Sequence, residues 1–149
     1  MLPQPPAGCD SHTLAEMDDT PSVGEWYEID RPRGAMPCYS ARPIGAGPFP
    51  GVVVIHDALG MSNDLRNQAD WLAGEGFVAV APDLYYFDRT LRCVFSVIRD
   101  AARGSGDAFD DLDAVRTWLS QRPDCSGQVG VIGFCMGCLL YTSPSPRDI

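Results

Sequence analysis

Positive charge is scarce in this sequence: 11 Lys and Arg stand against 20 Asp and Glu, a formal net charge of −9 over 149 residues. Nucleic acid and anionic membrane both demand clustered cations, so no nucleic-acid partner and no membrane partner are expected. Long hydrophobic runs are missing too. No apolar stretch approaches the ~20 residues of a membrane-spanning helix, and no apolar core of a secretory leader precedes the cysteines, so the expected location is cytoplasmic. The six cysteines, at 9, 38, 93, 125, 135 and 138, form no obvious disulfide framework and are read as reduced thiols. Histidine is nearly absent, with His12 and His56 alone.

What is present fits one modest globular domain with an ordinary hydrophobic fraction of 45%. The chain is organised around residues 129–137, where an apolar β-type run stops at Cys135, with Gly133 two residues before it and Gly137 two residues after. A strand ending in Gly-x-nucleophile-x-Gly is a nucleophile elbow: glycines lack the Cβ atoms that would clash where strand turns sharply into helix. A helix following Cys135 would bring its positive N-terminal end beside the sulfur and favour the reactive thiolate. The competing reading of the same stretch is a small buried hydrophobe. A third, Cys135-Met136-Gly137-Cys138 as a redox C-x-x-C pair, lacks the setting that makes such a pair informative.

Residues 1–24 are rich in Pro, Asp, Ser and Thr without periodicity and are expected to be a mobile arm, with His12 solvated upon it. Residues 26–29 and 36–41 read as an antiparallel edge hairpin, Pro37 suiting an edge because it cannot donate to an interior ladder. Continuous Val and Ile over residues 51–55 and the apolar run 77–81 indicate strands buried on both faces. His56-Asp57-Ala58-Leu59-Gly60 and Pro82-Asp83-Leu84-Tyr85-Tyr86 leave their carboxyl ends, where open α/β sheets gather their chemistry.

Between and after them lie helical patterns. Ser62 is positioned to cap a helix burying Leu65, Ala69, Leu72 and Ala73. Leu91, Val94, Phe95 and Ile98 mark a second amphipathic segment, on or before which Arg89, Arg92 and Arg99 could meet an anionic substrate or lie on a solvated face. Asp107 is positioned to cap a third helix burying Ala108, Leu112, Val115 and Leu119. Its Asp110, Asp111 and Asp113 are explained better by the helix dipole than by a metal site.

Taken together, residues 51–60, Ala81-Pro82-Asp83-Leu84-Tyr85, Ala108-Phe109-Asp110-Asp111 and residues 130–137 are similar to successive blocks of the dienelactone hydrolase family. The resemblance runs from about residue 26 to residue 137. It implies an α/β-hydrolase fold, a mostly parallel sheet with flanking helices and an N-terminal edge hairpin. It also implies hydrolysis of a small-molecule lactone or ester through a Cys-His-Asp triad, with no metal and no organic cofactor. Carried over position by position, Cys135 is the nucleophile and the backbone N–H groups of Ala58 and Met136 form the oxyanion hole. Asp57 stands where the family has a carboxylate, usually glutamate. His56 is expected to pack the loop, because triad order in this fold places the histidine after the nucleophile.

After Cys135 no histidine follows, and Asp148 stands near the end of the sequence, so such a triad cannot be completed within these residues. Residues 138–149 carry two prolines and no helical period and resemble one reading frame of a transposase-derived sequencing adapter, so they are expected to be a non-native tail. The expectation is therefore a partial α/β-hydrolase domain over residues 25–137, truncated after the elbow. As it stands the chain should be catalytically silent and prone to aggregation, its oligomeric state left open. The alternative is a noncatalytic protein that keeps the α/β scaffold for binding.

Overall fold

The computed structural model describes residues 22–88 and 91–134. Two antiparallel strands begin it, β1 (Ser22–Arg31) and β2 (Gly34–Pro43), paired from Ser22 opposite Pro43 to Arg31 opposite Gly34. The expected hairpin is longer than its two apolar runs. β1 takes in residues 22–24, which composition assigned to the arm; residues 1–21 lie outside the described residues. The extension has a packing cause: the Tyr39 ring lies across the strand over Gly24, where a Cβ would collide with it, and meets Trp26 edge-on with ring centres 5.4 Å apart.

Then follow β3 (Phe49–Ile55), α1 (Asn63–Gly74), β4 (Val78–Pro82), α2 (Leu91–Arg103), α3 (Asp107–Ser120) and β5 (Cys125–Gly133). The sheet order is β1-β2-β4-β3-β5. β4, β3 and β5 run parallel, and β2 joins β4 antiparallel. β2 is thus interior, which corrects the edge reading of Pro37. Its ladder with β4 covers only residues 38–41, and the Pro37 C=O accepts the Asp83 N–H at 2.9 Å just past the ladder's end. Proline sits where no ladder donor is required.

Alternation along β3 divides the core in two. Val54, with Ala41, Ala79 and Ala81, faces Leu65, Ala69 and Ala73 of α1. Val53 and Ile55, with Val78 and Val80, face Val97 of α2 and Val115 and Leu119 of α3. Helices therefore cover both faces, as the continuous Val/Ile run requires. Each buried Val, Leu or Ile side chain among these contributes roughly 1.5–3 kcal/mol of transfer free energy.

Ser62 caps α1 as expected, its hydroxyl accepting the Leu65 N–H at 3.2 Å. Asp107 does not cap α3. The N-cap is Gly106, and the Ala108 N–H donates instead to the Asp100 carboxylate of α2 at 3.2 Å. Gly106, at φ +132°, packs so tightly on that carboxylate that a Cβ would lie 2.4 Å from it, so the cap comes from a neighbouring helix. The α2 stripe is also corrected. Cys93, Val97, Asp100 and Ala101 are buried, while Leu91, Phe95 and Ile98 are exposed. Among the acidic trio, Asp111 turns inward: it receives Arg31 Nε and Arg33 Nη2 at 2.8 Å each, tying the β1–β2 turn to α3.

Candidate active site

The strand order changes direction at β3. From β3 the chain crosses to β4 on one side, and from β4 it crosses back to β5 on the other. Open α/β sheets form a crevice at such a switch point, outside the carboxyl ends of the strands. Residues 56–60 occupy it.

His56 organises this loop. Its ring is fully buried, with Nδ1 2.7 Å from the Asp57 C=O and Nε2 3.1 Å from the Leu84 N–H. A backbone N–H can only donate and a carbonyl can only accept. The ring is therefore neutral, with its proton on Nδ1. Burial lowers its pKa below the ordinary value, against the partial opposition of the Asp57 carbonyl and the Asp83 and Asp57 carboxylates. Both nitrogens are committed to backbone, so His56 ties the end of β3 to the end of β4 and leaves no lone pair for a proton from a nucleophile. It packs the loop, as expected from the sequence.

Asp57 shapes the next turn. Its Oδ1 accepts the Leu59 N–H at 2.8 Å and its C=O accepts the Gly60 N–H at 3.1 Å. The turn closes on Gly60, whose φ of +79° favours glycine and where a Cβ would lie 2.8 Å from the Tyr85 ring. Ala58, at the apex, is exposed, and no described residue accepts its N–H. Its C=O is held from behind by the Tyr85 O–H at 3.2 Å. Burial first, then the nearby Cys93 and the Asp57 and Asp83 carboxylates, push the Tyr85 hydroxyl up to about 12, so it remains a donor.

The second half of the site approaches along β5. Gly133 closes that strand opposite Ile55, and the Phe134 N–H donates to the Ile55 C=O at 3.3 Å. Residue 134 is thus locked beside the residue that precedes His56. Cys135, Met136 and Gly137 lie outside the described residues, as do residues 138–149 and Arg89. A cleft of about 350 Å³ opens against residues 59–61, with Asp83, Tyr85, Val94 and Trp26 in its walls. Sequence reading placed Asp83 and Tyr85 near a cleft but gave neither a role. Trp26, in a hairpin distant in sequence, offered no signal. Arg92 is exposed on α2, Arg99 approaches Ser96 and Asp100, and neither lines the cleft. Among the described residues, no group of three or more His, Cys, Asp or Glu is placed to hold a metal ion, and no helix is long and apolar enough to cross a membrane.

Comparison with known proteins gives this geometry a context. The model of the dienelactone hydrolase family matches residues 36–148. A relative named "Putative carboxymethylenebutenolidase" from Escherichia coli (strain K12) is 29% identical over 145 residues, covering 91% of this chain and 53% of its own. A similarly named protein of Azospirillum brasilense is 30% identical over 94 residues, 63% of this chain and 41% of that one. Among solved structures, "Putative Dienelactone Hydrolase" from Klebsiella pneumoniae superposes with a TM-score of 0.62 at 27% identity, covering 78% of this chain and 51% of that one. The chain spans about half the length of the curated relatives it matches.

Proposed function

The chain belongs to the dienelactone hydrolase family, and from that premise we propose that it carries the nucleophile half of a hydrolase cleaving small esters or lactones through Cys135. The observation that carries the reading is the Phe134 N–H to Ile55 C=O hydrogen bond of 3.3 Å. It sets the residue before Cys135 against the residue before the His56–Ala58 loop. A nucleophile needs its oxyanion donors within ~3 Å of the developing charge. Two strand ends in register provide that closeness.

In the proposed step the Cys135 thiolate attacks the ester carbonyl carbon, forming a C–S bond while the carbonyl oxygen takes the negative charge. The Ala58 and Met136 N–H groups receive that oxyanion. Collapse breaks the C–O bond and releases the alkoxide with its electron pair. Water then hydrolyses the thioester, giving the carboxylic acid and restoring the thiol. Asp57 acts by setting the turn that aims Ala58 outward, a positioning role suited to a short side chain.

Among the described residues no group is placed to transfer the proton. His56 is committed at both nitrogens, so no described histidine serves as a base for the thiol or for the deacylating water. General-base assistance is worth about 10²–10⁴-fold. These 149 residues should therefore give a burst of about one p-nitrophenolate per chain with p-nitrophenyl acetate, then little turnover. Cys135→Ala should abolish the burst. A burst unchanged in that variant would place the acylation on another nucleophile and contradict the assignment, and no burst from the unaltered chain would favour a binding protein on the same scaffold.

A further inference from the structure

We propose that the outer face of α2 is the docking surface for residues 10–19 of the same chain, the acidic segment that leads into β1. The inference is independent of the reaction proposed above.

α2 buries Cys93, Val97 and Ala101 against the sheet and α3. On the opposite side Leu91, Phe95 and Ile98 recur at helical spacing and stay 75%, 67% and 39% exposed. Single exposed apolar side chains are ordinary on a protein surface, but three in one row on one helix make a continuous apolar strip. Beside it runs a second row, Arg92, Arg99 and Arg103, all exposed. The one carboxylate on this helix, Asp100, is buried and turned to the Ala108 N–H. Arg99 approaches it at 3.5 Å, whereas Arg92 and Arg103 meet no carboxylate among the described residues. Helix stability does not account for Arg92, because a cation in the first turn faces the positive end of the helix dipole. What covers this face must be apolar along one row and anionic along the next.

The chain holds such a segment. Residues 10–19 carry Leu14 and Met17 together with Asp10, Glu16, Asp18 and Asp19, and no Arg or Lys occurs before Arg31. The segment is tethered at Ser22, where β1 begins. From there Leu14 can reach roughly 26–29 Å at ~3.3–3.6 Å per residue, against a radius of gyration of about 14 Å for a domain of this size. Other occupants lack the match. A second copy would bring the same three arginines into the contact. Residues 138–149 carry Leu139 and Leu140, but their charged side chains are one Arg147 and one Asp148, which provide no anionic row.

The sequence contains no lysine, so Arg99→Lys introduces a single side-chain amine on this face. Carbodiimide coupling joins that amine to the carboxylate that touches it, and peptide mapping by mass spectrometry reads the partner. An equal mixture of isotope-labelled and unlabelled chains separates links within one chain from links between copies. Arg116→Lys on α3 is the control, because Arg99 and Arg116 are matched at 56% and 55% exposure and each has a neighbouring aspartate. Tethering alone brings residues 10–19 near both lysines, so the ratio between the two variants reports docking. The Arg99→Lys chain should form at least about tenfold more intrachain link to residues 10–19 than the Arg116→Lys chain. Adding Leu14→Ser and Met17→Ser, which keeps every charge, should reduce that link at least about fivefold. No link, equal yields from the two lysine variants, a link retained after the serine substitutions, or links to residues 10–19 formed only between copies would each overturn the inference.

Discussion

At the scale of single residues, His56 decides more than any other side chain. It is one of only two histidines and stands in the loop at the carboxyl end of β3, a position that invites a catalytic role. Its contacts refuse it: Nδ1–H donates to the Asp57 C=O and Nε2 accepts the Leu84 N–H. Burial keeps it neutral in the fold, with its pKa below the ordinary value of ~6.5. Between those two values the unfolded chain binds a proton that the folded chain does not, so stability rises with pH. The contribution is complete above pH ~6.5 and is lost as pH falls towards the folded value. Denaturant midpoints at about pH 5.5 and 7.5, chosen above the ordinary carboxylate range, should show the chain less stable at the lower pH. His56→Gln should flatten that difference. An equal slope in the variant would mean that His56 does not set it.

The sequence alone could place His56 in the loop, because a strand of continuous Val and Ile ends immediately before it. It could not reveal the tautomer. That depends on the Leu84 N–H, which comes from a strand end 28 residues away. Tyr85 was hidden in the same manner, since its hydroxyl supports a carbonyl 27 residues before it.

At the scale of elements, legibility follows how local the determining contact is. α1 is the most legible helix because its cap, Ser62, and its buried stripe, Leu65, Ala69 and Ala73, all lie within the segment, with Leu72, expected in that stripe, only partly buried. α2 has apolar residues around most of its circumference. Leu91, Phe95 and Ile98 form as good a stripe as Cys93, Val97 and Ala101, and only the position of the sheet and α3 decides between them. α3 hides its most important residue among four aspartates. Asp111 is buried because two arginines from the hairpin turn, about eighty residues earlier, converge on it. Asp111→Ala would take the carboxylate from Arg31 and leave Arg33 only the exposed Asp107 at 3.5 Å. Both keep some solvent access, at 19% and 24% exposure, so the cost should sit below that of a fully buried pair, about 2–3 kcal/mol. The denaturant midpoint should fall accordingly. A change below ~0.5 kcal/mol, the range of ordinary surface substitutions, would show the cluster to be incidental.

At the scale of the molecule, five strands and three helices form a sheet with β1 at one edge and β5 at the other among the described residues. β5 carries the register that aims residue 134, yet its outer edge is paired with no described strand, and Ile132 is 37% exposed. An apolar edge of this kind is a template for association. Ile132→Lys should reduce concentration-dependent self-association, measured by light scattering. Equal scattering from both proteins would place the contact elsewhere. The parallel strands and the hairpin could be read in sequence because each rests on local composition, whereas the switch point at β3 follows from the strand order. The interior place of β2 could not, because it depends on pairing with β4 across some forty residues.

The central claim is that the β3 and β5 strand ends bring Cys135 and the Ala58 N–H to one ester carbonyl. Its most direct measurement is peptide mapping by mass spectrometry after brief exposure to limiting p-nitrophenyl acetate near neutral pH, comparing acetylation across the six cysteines. The account predicts that Cys135 is acetylated at least tenfold faster than Cys9 or Cys138, and that Ala58→Pro, which removes the backbone N–H, slows Cys135 selectively. Acetylation of Cys135 no faster than Cys9, or unaffected by Ala58→Pro, would contradict it.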